Sequence, residues 1–144
     1  MTVPGQLHLF KKDRRRKPKV ERAPDPAEYQ IQIALVQFLK LKARPEVEYF
    51  HVANGELRDK RHAAKLKAMG VRPGVSDLVF FMHDASRFPV LFLELKARGR
   101  GLTDEQRHFR DRVVALGYVY EWTDSFDEAV RILRKYHVFK PNHD

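Results

Sequence analysis

The sequence predicts an α/β fold, and three observations carry that expectation. Two short apolar runs, 75–82 and 89–97, flank a turn-forming stretch at 83–88 and read as the strands of one hairpin. Segments with helical spacing of apolar residues run along the chain, two of them behind recognisable caps at Asp25 and Thr103. The two kinds of segment also interleave along the chain, in the order α, β, α, β, β, α, β, α.

The first helix starts at Asp25-Pro26-Ala27-Glu28, with Asp as N-cap, Pro at the first helical position and Glu at the third, and is expected to run to Lys42. Ile31, Ala34, Leu35, Phe38 and Leu39 give it an apolar stripe. Pro45 ends that segment, and 47–52 reads as a strand closed by an Asn54-Gly55 turn. A short basic helix follows over 60–69, stopped by Gly70. After the hairpin, Gly99-Arg100-Gly101 is a loop. Thr103 then caps a helix whose third residue is Gln106, a second capping box, and whose apolar face is Phe109, Val113 and Leu116 before Gly117. Residues 118–122 form a strand, and 125–136 a last helix that turns Phe126, Ala129, Val130 and Leu133 inward. No internal repeat is present.

Composition narrows the class. The 144 residues suffice for one domain with its own core, and 43% are hydrophobic. No apolar run approaches the roughly 20 residues of a membrane span, and no signal-like start is visible. Cysteine is absent, which excludes disulfide scaffolds and thiolate metal sites. The expectation is a cytoplasmic protein, of a bacterial cell or of the host if the chain is viral. The net charge of +9 points to a polyanionic partner. Much of it is local: residues 1–22 hold eight Lys/Arg against two acids. Residues 1–24 show no periodicity and read as a basic, disordered tail, either simply solvated or an arm for nucleic acid.

The hairpin carries the chemistry. Around a turn centred between Ala85 and Ser86, facing residues have numbers that sum to 171, so Asp77 faces Glu94. Their β-carbons would lie roughly 5 Å apart, a destabilising like-charge pair, amid Leu78, Val79, Leu93 and Leu95, which demand burial. A divalent cation with oxygen ligands is the usual remedy. Alternation puts Lys96 on the face of Glu94 and turns Leu95 away. Two acids and a lysine on one face suit metal-assisted hydrolysis. Read singly, the residues are equally a turn aspartate and an exposed Glu-x-Lys edge. A bulge near Pro89 would shift the register by one and turn Glu94 away.

These segments together resemble the PD-(D/E)xK nuclease superfamily and, more narrowly, its VRR-NUC (virus-type replication-repair nuclease) family. The matching stretches are Glu28-Tyr29-Gln30-Ile31-Gln32, Asn54-Gly55, Gly70-Val71-Arg72-Pro73-Gly74-Val75-Ser76-Asp77, Glu94-Leu95-Lys96 and Leu102-Thr103-Asp104-Glu105-Gln106. The resemblance spans about residues 27–136, with 25–144 as the nuclease domain. Ser76 stands where the superfamily has a proline that shapes the turn. The resemblance implies a restriction-endonuclease-like core, a central mixed β-sheet flanked by helices, and Mg²⁺- or Mn²⁺-dependent cleavage of phosphodiester bonds. It implies that Asp77, Glu94 and the backbone carbonyl of Leu95 ligate the metal. Lys96 would orient or activate the attacking water, and Glu28 and Gln106 would complete the site from two helices. By residue chemistry alone, Glu28 and Gln106 are equally third residues of capping boxes.

Arg58, Lys60, Arg61, Lys65, Lys67 and Arg72 gather ahead of the first hairpin strand, and Arg98 and Arg100 follow Lys96. They read either as phosphate contacts, which give affinity without reading sequence, or as ordinary solvated surface. The histidines show no ligand spacing and read as surface or core residues. Gln6, Leu7, Leu9 and Phe10 form Gln-Leu-x-Leu-Phe, which resembles the peptide by which bacterial replication proteins dock on the sliding clamp; the alternative is a patch packing on the domain. The expected function is a DNA endonuclease on branched substrates such as four-way junctions, in replication, repair or recombination and working as a homodimer. The alternatives are a flap or nicking nuclease and a non-catalytic, clamp-tethered DNA adaptor.

Overall fold

Local chemistry sets the first helix. In the computed structural model, which describes residues 25–53, 60–82 and 89–141, helix α1 runs Pro26–Lys42. The Asp25 carboxylate accepts the Ala27 N–H at 3.0 Å, and Pro26 fills the first turn, where its missing N–H is not needed. Leu35 and Leu39 are fully buried, Ile31 and Phe38 half-buried. Ala34, expected on the stripe, is exposed. One residue before Leu35 is a rotation of about 100° on a helix, which carries it to the border of the packed face.

Strand β1 is Glu48–His51 and helix α2 is Lys60–Ala68. Then come β2 (Leu78–Phe81), β3 (Val90–Leu95), α3 (Asp104–Ala115), β4 (Val119–Thr123) and α4 (Phe126–Lys135). Thr103 caps α3 as expected and closes the full reciprocal box with Gln106, and Ser125 caps α4. Leu116, expected inside, is 69% exposed. It is the C-cap residue, so the backbone leaves the helix before a further turn can bury it.

The sheet has the order β1-β2-β3-β4. The first two pairings are antiparallel and β3 runs parallel to β4, with α3 as the crossover, so the sheet is mixed. The hairpin register places Leu78 opposite Leu93 and Phe81 opposite Val90. No residue is inserted, so the bulge alternative does not occur. Met82 N–H donates to the Pro89 carbonyl at 2.9 Å and carries the pairing to the edge of the turn.

Alternation divides the core. Leu78, Phe80, Leu91, Leu93 and Leu95 pack with Leu35 and Leu39 of α1 and Ala129 and Leu133 of α4. The other face sets Phe92 and Tyr120 against Phe109 and Val113 of α3. Helices therefore cover both faces of the sheet. Each buried Leu contributes about 1.5–3 kcal/mol, and truncating one such as Leu93 to Ala would cost about 2–5 kcal/mol. Helix α2 is different: of its side chains from Arg61 onward, Leu66 alone is half-buried and the rest are exposed. Gly70, at φ +96°, ends it in the left-handed conformation.

The tail 1–24, the peptide at residues 6–10, the Asn54-Gly55 turn, Arg58 and the turn 83–88 lie outside the described residues. Among those described, no helix is long and apolar enough to cross a membrane.

Candidate active site

The apolar runs that predicted the hairpin are longer than its strands, and the difference is where the polar residues converge. Asp77 stands immediately before β2 and Lys96 immediately after β3. Asp77 is fixed from two sides. Its carbonyl accepts the Val52 N–H at 3.0 Å and lies 2.7 Å from His51 Nδ1, which must carry the proton because a carbonyl only accepts. Its carboxylate takes the Leu95 N–H at 2.8 Å. The Ser76 hydroxyl donates to the Leu78 carbonyl at 3.2 Å, a local bond just before the strand.

Glu94 is 1% exposed and Lys96 6%. The Lys96 ammonium lies 2.7 Å from Glu94 Oε1. The same oxygen accepts a hydrogen bond from Gln106 Nε2. Gln106 Oε1 accepts the Thr103 N–H at 2.8 Å, so the capping box leaves only the amide nitrogen to meet Glu94. The Gln106 amide therefore serves the cap with its oxygen and meets Glu94 with its nitrogen. Glu28 reaches across from α1, and its Oε2 accepts the Ala97 N–H at 3.2 Å. That bond ties it to the end of β3, while Asp25 meets the cap through its own carboxylate.

Glu28, Asp77 and Glu94 each offer an oxygen, and these lie within 4.8 Å of one another. Leu95 gives its side chain to the core and its backbone to the site. Burial raises all three carboxyls above their ordinary range. Glu94 moves furthest, to about 8, by burial first and then by the facing charge of Asp77, with Lys96 pulling the other way. Three carboxyls stand against one ammonium, and their burial and mutual repulsion disfavour ionising all three at once. Glu94 Oε2 is buried with no hydrogen-bond partner, a costly state for a carboxylate oxygen. An all-oxygen donor set with one unsatisfied buried oxygen fits a hard divalent cation of the Mg²⁺ or Mn²⁺ class.

Gly74, His51 and Tyr120 were not expected at the site. At Gly74, φ is +79° and an added Cβ would sit 2.3 Å from the Glu105 carbonyl oxygen and 2.8 Å from Gln106 N. Only glycine lets the segment before Asp77 lie on the first turn of α3, which sets Gln106 against Glu94. His51 and Tyr120 reach the site through strand neighbours distant in sequence, and no spacing rule marks them.

The basic residues divide. Arg61 and Lys65 are exposed on α2, one turn apart, and the backbone of Lys60 begins that helix. Arg98 and Arg100 are exposed on a loop pinned by Gly99 N–H donating to Asp124 at 2.7 Å. Arg72 lines a groove of about 280 Å³ with Pro73, Asp104, Glu105 and His108, so its charge stands beside two acids.

Comparison with known proteins bears on the family and the fold. The family model of the VRR-NUC domain matches residues 26–127. A solved structure described as a VRR_NUC domain protein superimposes with a TM-score of 0.63 at 20% identity, covering 78% of this chain and 88% of that one, and shares its fold. No curated protein matches the sequence. With its mixed sheet, its acid-acid-lysine hairpin and a family match over most of its length, this chain belongs to the VRR-NUC family of nucleases.

Proposed function

We propose that the chain is a metal-dependent DNA endonuclease whose working residues are Asp77, Glu94, Lys96, Gln106 and Glu28. One observation carries this reading: three carboxylates from three elements converge within 4.8 Å, beside a buried ammonium. Asp77, Glu94 and Glu28 would hold Mg²⁺ or Mn²⁺, with the Leu95 carbonyl as a backbone ligand. A hard cation there supplies charge neutralisation and a nucleophile at neutral pH. Lys96, held on Glu94 Oε1, orients the attacking water and offsets charge that develops on the phosphorus centre. Gln106 holds the same Glu94 oxygen through its amide nitrogen.

Arg61 and Lys65, with Lys60, Arg72, Arg98, Arg100 and Arg58, supply phosphate contacts that bind without reading sequence. A branched substrate and a homodimer extend this reading: a two-fold pair would present two sites to two strands of a junction. Both rest on the sequence resemblance to the VRR-NUC family, whose small free-standing members resemble junction-resolving enzymes that work as homodimers. Docking on a bacterial-type sliding clamp through Gln6, Leu7, Leu9 and Phe10 rests on the sequence of the peptide.

Incubating the full chain with a labelled four-way junction, a flap and a linear duplex, with Mg²⁺ and with chelator, tests the function. Cleavage is expected only with the cation and fastest on the junction. Asp77→Ala is expected to abolish cutting while DNA binding persists. Undiminished cutting by that variant, or cutting in chelator, would overturn the assignment.

A further inference from the structure

The active-site wall holds a second unsatisfied atom. Among the described residues, two buried side-chain oxygens have no hydrogen-bond partner, Glu94 Oε2 and the Tyr120 hydroxyl. They belong to adjacent strands. Register pairs Phe92 with Tyr120 and Glu94 with Trp122, so Tyr120 and Glu94 share the α3-facing side of the sheet. Tyr120 is 8% exposed, and its ring stands edge-on to Phe109 at 6.2 Å and 64°.

A buried hydroxyl with no partner costs about 1–3 kcal/mol. Phenylalanine would fill the same space without that cost. The tyrosine oxygen therefore calls for a partner, and so does Glu94 Oε2. A single buried water can link two such groups. We propose that Tyr120 is a positioning residue for the cation site: its O–H, through one buried water shared with Glu94 Oε2, holds the carboxylate so that its remaining lone pair faces Asp77 and Glu28. Burial and the charges of Glu94 and Asp77 raise the Tyr120 hydroxyl, which keeps it a donor. The inference rests on the cation-binding reading above. Outer contacts of this kind orient ligating carboxylates, and their loss weakens metal binding by about 10–100-fold.

Tyr120→Phe in the full chain tests it, with Mn²⁺ affinity read from the electron-spin-resonance signal of the free ion. The ring contact with Phe109 is retained, so the variant keeps its packing. The expected result is Mn²⁺ binding about 10-fold weaker than the parent's. A purely structural hydroxyl would move the melting temperature and leave that affinity alone. Affinity within about twofold of the parent's would overturn the proposal while the cation reading stands. A parent chain that takes up no Mn²⁺ would overturn the cation reading itself, and this proposal with it.

Discussion

Replacing Glu94 with Gln removes a charge and keeps the shape. In the metal-free protein Glu94 titrates near 8, against 4.5 for an ordinary glutamate. A raised carboxyl binds more protons in the folded state than in the unfolded one, so stability falls as pH rises from about 4.5 through about 8. At 1.36 kcal/mol per pH unit, the burden is on the order of 3 kcal/mol at neutral pH and on the order of 5 kcal/mol above pH 8. Glutamine carries none of it. Lys96 loses an ionised partner 2.7 Å away, which takes part of the gain back. A net gain of about 1–3 kcal/mol near pH 8.5 is expected, or a rise in melting temperature of about 3–9 °C for a chain of this size. Calorimetry in chelator at about pH 5, 7 and 8.5 measures it. The gap between Glu94→Gln and parent should widen with pH, and added Mn²⁺ should stabilise the parent far more than the variant. A gap that stays constant or narrows as pH rises would refute the reasoning.

Three further outcomes are expected, two from the geometry and one from the sequence of the N-terminal peptide. Gly74→Ala places a Cβ 2.3 Å from the Glu105 carbonyl oxygen at a φ of +79°, so it should destabilise by about 1–3 kcal/mol and slow cleavage by displacing Gln106, read by melting and by single-turnover rate. Arg61→Ala with Lys65→Ala should weaken DNA binding evenly across sequences and flatten the slope of log affinity against log salt by about 2. Deleting residues 1–10 should abolish binding to a bacterial sliding clamp, measured by surface plasmon resonance, and leave cutting of free DNA unchanged.

The hairpin register was legible because alternation and turn length determine it together, and the Leu78–Leu93 pairing follows the register the turn predicts. The starts of α1 and α3 were legible because Asp25 and Thr103 act on their own first turns. Glu28 and Gln106 were ambiguous for the same reason: third place in a capping box is a local explanation, and only tertiary contacts show where the side chain goes. Glu28 meets Ala97, 69 residues away, and Gln106 divides its amide between Thr103 and Glu94. Gly74, His51 and Tyr120 act through neighbours that no local pattern encodes. Ala34 and Leu116 were misplaced because helical periodicity fixes an apolar face without fixing how wide or how long the packed surface is.

Diffraction at the manganese edge from crystals of the full chain soaked in Mn²⁺ tests the central claim most directly. The expected map has one anomalous peak about 2 Å from oxygens of both Asp77 and Glu94, with Glu28 at its border. Manganese held elsewhere, or no peak between those carboxylates at saturating ion, would contradict it.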